Sequence, residues 1–181
     1  MKLKLIYPKW KKLKGQTTFN LPPHGPVVFA ATLPEDVDVS FTDENVEELD
    51  FDEECDLVAI SMMLSTQVKR GWAIADTYRQ RGKQVLFGGI STMLHAEETV
   101  EHADAVFLGE SEGRMQEVID DWRRGQLKRV YNYMTRQPAI EDVGPARRDL
   151  YKRHLYNHRA CRWSTSFTPR AAAASAATPA P

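Results

Sequence analysis

Three short clusters of small, hydroxylated or acidic residues each follow an apolar run, and they are where this chain could do chemistry. The first holds Ser61, Met63, Ser65 and Thr66. The second is Gly88-Gly89-Ile90, followed by Ser91 and Thr92. The third is Gly109-Glu110, followed by Ser111-Glu112-Gly113. Glycine permits positive φ and a close approach of backbone to a ligand. A serine or threonine hydroxyl offers short, directional hydrogen bonds. Each cluster also has an ordinary structural reading. Gly-Gly makes a tight turn, Gly-Glu serves equally as turn chemistry, Ser65 or Thr66 suits the cap of a following helix, and Glu110 suits a solvated carboxylate. Taken together, at corresponding strand ends of one sheet, they point to a ligand site, and no catalytic residue is assigned.

Several chemistries are excluded. The first apolar run leads into Tyr7-Pro8-Lys9-Trp10, with no G-x-G-x-x-G and no GK[ST] signature, which argues against dinucleotides and nucleoside triphosphates. A phosphoacceptor receiver would need acidic residues there and an aspartate after the third strand, where Pro8-Lys9 and Ser61-Met62 stand. His24 reads as a surface histidine. Cys55 and Cys161 are too few for a disulfide scaffold, a zinc site or an iron–sulfur cluster, so no metal ligand is assigned. A net charge of −1, from 24 basic and 25 acidic residues, gives no basic excess for nucleic acid. No apolar run reaches the ~20 residues of a membrane span, and Met1–Pro8 does not read as a signal peptide. A reducing cytoplasm is the expected setting.

The elements that would hold the clusters follow from hydrophobic pattern. Leu3–Tyr7 reads as a buried strand stopped by Pro8, residues 9–26 as loop, and Pro26–Thr32 as one short helix. Val37–Phe41 alternates as a half-buried strand, and Asp43–Glu54 is expected to hold one helical turn. Asp56–Met63 is nearly continuously apolar, as in a strand covered on both faces. Thr66–Arg81 carries Val68, Trp72, Ala75 and Tyr78 at helical spacing and closes at Gly82. Gln84–Phe87 and Asp104–Leu108 read as strands, Ala96–His102 and Arg114–Arg124 as helices. Strands alternating with helices at this spacing imply right-handed βαβ crossovers. The expected fold is an α/β, flavodoxin-like (Rossmann-like), doubly wound five-stranded parallel sheet.

These residues resemble the N-terminal cobalamin-binding domain of B12-dependent radical SAM proteins. The resemblance runs over residues 2–133 and rests on Asp56–Ser65, Ile74-Ala75-Asp76, Val85–Ile90, His95–Glu98 and His102–Glu110. It implies that Ser61-Met62-Met63 stands for the family's Ser-x-Leu element and Gly88-Gly89 for its Gly-Gly. These would line a channel for the cofactor's nucleotide tail, with Ser65, Thr66, Ile90, Gly109 and Glu110 completing the ligand-facing set. A large side chain at Gly89 is expected to fill that channel while sparing the fold. The Asp-x-His-x-x-Gly motif of other B12 domains is absent, so no imidazole from that loop is expected on cobalt.

The resemblance also implies a catalytic partner domain with C-x-x-x-C-x-x-C thiolates for a [4Fe–4S] cluster and S-adenosylmethionine. Cys161 stands alone where that domain should begin. The chain is therefore expected to divide into a domain at 1–133, a linker at 134–159 and an Ala/Pro-rich, disordered tail at 160–181. With freely chosen third bases, one shifted reading of the tail contains C-x-x-x-C-x-x-C. A frameshift near His158–Cys161 is thus one expectation, and a natural Ala/Pro tail is the other. The module should not catalyse alone, and its parent is expected to perform radical methylation. The competing expectations are a cofactor-free flavodoxin-like interaction or signalling domain, and a small flavin-binding protein.

Overall fold

Successive apolar residues along each extended run point to opposite sides, and here both sides are covered. The computed structural model describes residues 1–11, 21–139 and 144–156. Its sheet comprises β1 (Lys2–Tyr7), β2 (Asp38–Asp43), β3 (Leu57–Ser61), β4 (Gln84–Gly88), β5 (Ala105–Leu108) and β6 (Val130–Asn132). The strand order is β2-β1-β3-β4-β5-β6, and every pairing is parallel. Val58 and Ile60 of β3 pack toward α2 (Val68–Gln80) and α4 (Ala96–Glu101) with Ile74, Ala75 and Tyr78. Leu57 and Ala59 face the other way, toward α1 (His24–Ala31) and α5 (Met115–Arg123) with Val27 and Ile119. The result is the three-layer α/β/α architecture that the near-continuous apolar strands require. Lys4 is fully buried in β1, but its ammonium reaches Glu53 and the Asp50 carbonyl, each at 2.5 Å, so the charge is compensated.

The sheet has six strands, one more than expected. β6 is only three residues long, and of these only Tyr131 is buried, so no period-two pattern marks it. Residues 43–54 hold the one helical turn expected, the Val46 and Glu47 amides donating to the Asp43 carbonyl at 3.0 and 3.1 Å. Three further details differ. Ile90–Leu94, assigned to no element in the sequence, forms the short α3. The helix expected to begin at Thr66 is preceded by a 3-10 turn at Ser65–Gln67, and neither serine nor threonine caps it. Finally, α1 begins at His24, inside the stretch read as loop. Cys161 and the tail lie outside the described residues. Among the described residues, no helix is long and apolar enough to cross a membrane.

The edge strand β6 hangs on two carboxylates of α5. The Lys128 ammonium at 2.5 Å, with the Tyr133 hydroxyl, holds Glu117 below the usual carboxylate range. The Arg124 guanidinium at 2.6 Å, with the Tyr131 hydroxyl at 3.0 Å, does the same for buried Asp121. A carboxylate whose folded value is depressed contributes stability above its unfolded value of about 4, and loses it as pH falls through the folded value. β6 is therefore expected to loosen first on acidification below about pH 4. Hydrogen exchange should show the Tyr133 amide, which donates to the Leu108 carbonyl at 2.8 Å, losing protection before the amides of β3. Equal loss in both strands would refute this.

Candidate functional site

The order of strands reverses at β1, with β2 on one side and β3 on the other. In open parallel sheets, ligands bind outside the strand carboxyl ends near such a reversal. A cleft of about 630 Å³ opens there, within the usual size of small-molecule sites. Its floor is apolar: Leu5 of β1, Ala59 and Ile60 of β3, Leu86 and Phe87 of β4, and Phe107 of β5. One wall is the first two turns of α1, from His24 to Phe29.

Seven of the nine residues expected to face the ligand line this cleft: Ser61 and Met63 at the end of β3, Gly88, Gly89 and Ile90 at the end of β4, Gly109 and Glu110 beyond β5; Ser111 and Glu112 line it too. The parallel register brings them together, because β3, β4 and β5 all end at the same edge of the sheet. Ser65 and Thr66 are not brought to the cleft; both are exposed in the 3-10 turn. The loop after β3 is held instead by fully buried Gln67. Its Oε1 accepts from the Met63 and Leu64 amides, both at 2.9 Å, and its Nε2 donates to the Pro8 carbonyl at 2.6 Å.

The glycines of the cleft have different reasons for being glycine. Gly89 has φ +95°, and a Cβ there would lie 2.4 Å from the Met62 carbonyl oxygen. Gly109 has φ +110°, and its Cβ would lie 2.8 Å from the Tyr133 backbone. Both are demanded by the chain's own backbone. Gly88 is in extended conformation, and a Cβ there would meet nothing within 4 Å. It shares strand parity with Leu86, which faces α5 and the partly buried Phe29 of α1, so its missing side chain leaves room on the cleft side. A side chain placed at Gly89 to fill the cleft would first collide with the Met62 backbone just beyond β3; the position that admits one is Gly88.

Other features of the site had no signature in the sequence. His24 and Phe29 reach the cleft only because α1 folds over the sheet, and Phe107 because β5 ends beside β4. Residues 144–156, read as part of a linker, lie against the β1–β2 face. Tyr151 is buried between Phe41 and Tyr156, with ring centroids 6.3 and 5.6 Å away. Its hydroxyl, which burial pushes up to about 12, donates to the Pro23 carbonyl at 2.8 Å. The Arg147 amide donates to the Val27 carbonyl at 2.9 Å. The cleft wall is thus clasped from outside. Among the described residues, no group of three or more His, Cys, Asp or Glu side chains could hold a metal ion.

At the mouth of the cleft, Met63 and Ile90 are about half exposed, at 48% and 54%, with Leu64 and Leu94 nearby in sequence and also exposed. Neighbouring exposed apolar side chains of this kind mark a surface that something covers.

No protein-family model matches the chain, and no solved structure does. It is 29% identical over 106 residues, 58% of its length, to bacteriochlorophyllide d C-8(2)-methyltransferase of Chlorobaculum tepidum. It is 32% identical over 111 residues, 60% of its length, to bacteriochlorophyllide d C-12(1)-methyltransferase of the same organism. The chain spans 23% and 24% of the lengths of these relatives, about a quarter of each.

Proposed function

We propose that this chain is a cobalamin-binding module of a B12-dependent radical SAM methyltransferase and is not catalytic by itself. The observation that carries the reading is the apolar cleft at the strand-order reversal, with open space over Gly88. A mostly apolar lining with few polar side chains, among them Ser61, Ser111, Glu110 and Glu112, suits a large, mostly neutral organic group, and its carboxylates suit a triphosphate poorly. The similarity to two methyltransferases supports the reaction class. In this reading Gly88 and the turn at Gly89 let the backbone lie along the cofactor's tail, and the Ser61 hydroxyl hydrogen-bonds to it. Ile90 and Met63 shield the mouth from water. The chain has no Asp-x-His-x-x-Gly loop to offer an imidazole to cobalt. Cobalamin would supply a methyl carrier. The [4Fe–4S] cluster and S-adenosylmethionine belong to a catalytic partner domain, because the 181 residues hold two cysteines and no C-x-x-x-C-x-x-C.

The test is retention of cofactor. Mixed with hydroxocobalamin and desalted, the protein is expected to keep the cobalamin visible spectrum, and to keep no flavin spectrum after the same treatment with FMN. Gly88→Trp fills the open space and is expected to weaken cobalamin binding about 100-fold, the equivalent of ~3 kcal/mol, with an unchanged circular-dichroism spectrum. Loss of cobalamin on desalting, or retention of FMN in its place, would overturn the reading.

A further inference from the structure

The cleft contains a carboxylate oxygen for which the described residues supply no partner. Glu112 lines the cleft at the end of β5 and is 8% exposed, yet its Oε2 is sealed from water with no hydrogen-bond partner among the described residues. The three carboxylates of α5 are all provided for: Glu117 by Lys128, Asp120 by Gln116, and Asp121 by Arg124 and Tyr131. The nearest guanidinium in sequence, that of Arg114, lies over the Tyr133 ring at 5.1 Å. Glu112 does not serve as the cap of α5 either, whose N-cap residue is Arg114; no side chain caps that helix, and the Arg114 amide donates to the Ser111 carbonyl. Buried polar atoms are nearly always paired, and a buried unpaired carboxylate costs stability. Such groups are concentrated where function requires them.

We propose that Glu112 accepts a hydrogen bond from a primary amide of the bound ligand, so that the cleft selects amide-bearing corrinoids over those carrying a carboxylate at the same place. This rests on the cobalamin reading above. The sign of the charge decides which part of such a ligand meets Glu112. A carboxylate repels the phosphate of a nucleotide tail and attracts N–H donors, and the corrin periphery carries primary amides. Glu110, two residues earlier, is exposed, so it is not part of the buried acceptor. A carboxylate accepting from an amide is about twice as strong as a neutral acceptor.

The experiment is calorimetric titration of the full chain and of Glu112→Gln and Glu112→Ala with cobalamin. The series of corrinoids in which one amide has been hydrolysed to a carboxylate is titrated in parallel, and each unliganded protein is melted. The wild type is expected to bind cobalamin at least about tenfold tighter than one member of that series. Glu112→Gln is expected to lose about tenfold in cobalamin affinity and to abolish that discrimination, while the unliganded Tm stays level or rises because a buried charge has gone. If Glu112→Gln binds cobalamin as the wild type does, with discrimination intact, the acceptor role is wrong and the cobalamin reading stands. If it lowers the unliganded Tm with affinity unchanged, Glu112 is a structural carboxylate and the proposal fails. If the wild type binds no corrinoid, both readings fall together.

Discussion

Gly89→Ala is expected to lower the melting temperature by about 10 °C or more, whereas Gly88→Ala, one residue away, is expected to be neutral within ~1 kcal/mol. Gly89 sits at φ +95° and ψ 167°, a region open essentially to glycine, where a side chain costs about 1–3 kcal/mol in backbone strain alone. Its Cβ would also lie 2.4 Å from the Met62 carbonyl oxygen. That oxygen accepts the Ser91 amide at 3.0 Å, while the Met62 amide donates to the Gly88 carbonyl at 2.9 Å. Relief of the clash must therefore break the stitching between the ends of β3 and β4. Strain and lost hydrogen bonds together reach about 3 kcal/mol, a large part of the 5–15 kcal/mol of a typical domain. Thermal melts of the two variants beside the wild type decide it. A Gly89→Ala protein that melts with the wild type would mean that Gly89 does not occupy this conformation.

Phe87→Ala is expected to cost about 3–5 kcal/mol. Phe87 is fully buried in the middle of β4, packed with Met62 and with α2 at Gly71. Gly71 is the close point of that helix: a Cβ there would lie 2.5 Å from the Met62 sulfur and 3.3 Å from the Phe87 ring. The backbone of α2 is thus already in contact and cannot move inward to fill the space a truncated Phe87 would leave. A cavity that does not collapse carries the full penalty of lost contacts. Because Phe87 also borders the cleft floor, this variant should weaken ligand retention as well as stability, whereas Gly88→Trp should weaken retention alone. Urea unfolding should show a lower midpoint with an unchanged slope. A cost below about 1 kcal/mol would show that the core relaxes around the gap.

Much of the fold was legible because its strands are covered on both faces. The run Asp56–Met63 cannot alternate, since Val58 and Ile60 bury against α2 while Leu57 and Ala59 bury toward α1 and α5. A continuous apolar run of that length between turn residues therefore marks a central parallel strand. The stripe of α2 was equally readable. The sixth strand was not, because only Tyr131 of its three residues enters the core and its carboxylate supports on α5 are 9 to 15 residues away in sequence. Likewise α3 is too short for a periodic signal, and its start is set by Gly89, whose conformation answers to β3.

The sequence by itself determined the α/β alternation, the central strands and the turn residues at their ends. These are local properties: burial on both faces and the need for positive φ are recorded in consecutive residues. Tertiary structure alone decided which of those residues meet. Parallel register gathers Ser61, Gly88 and Gly109 at one edge, and turns Ser65 and Thr66 out to solvent. It makes Gly89 and Gly109 servants of the backbone and leaves Gly88 the open one. It brings α1 over the cleft and leaves the Glu112 Oε2 buried without a partner among the described residues. The reason is that a contact between distant segments depends on the pairing of strands and the closing of helices over them, and neither is written in the spacing of neighbouring residues.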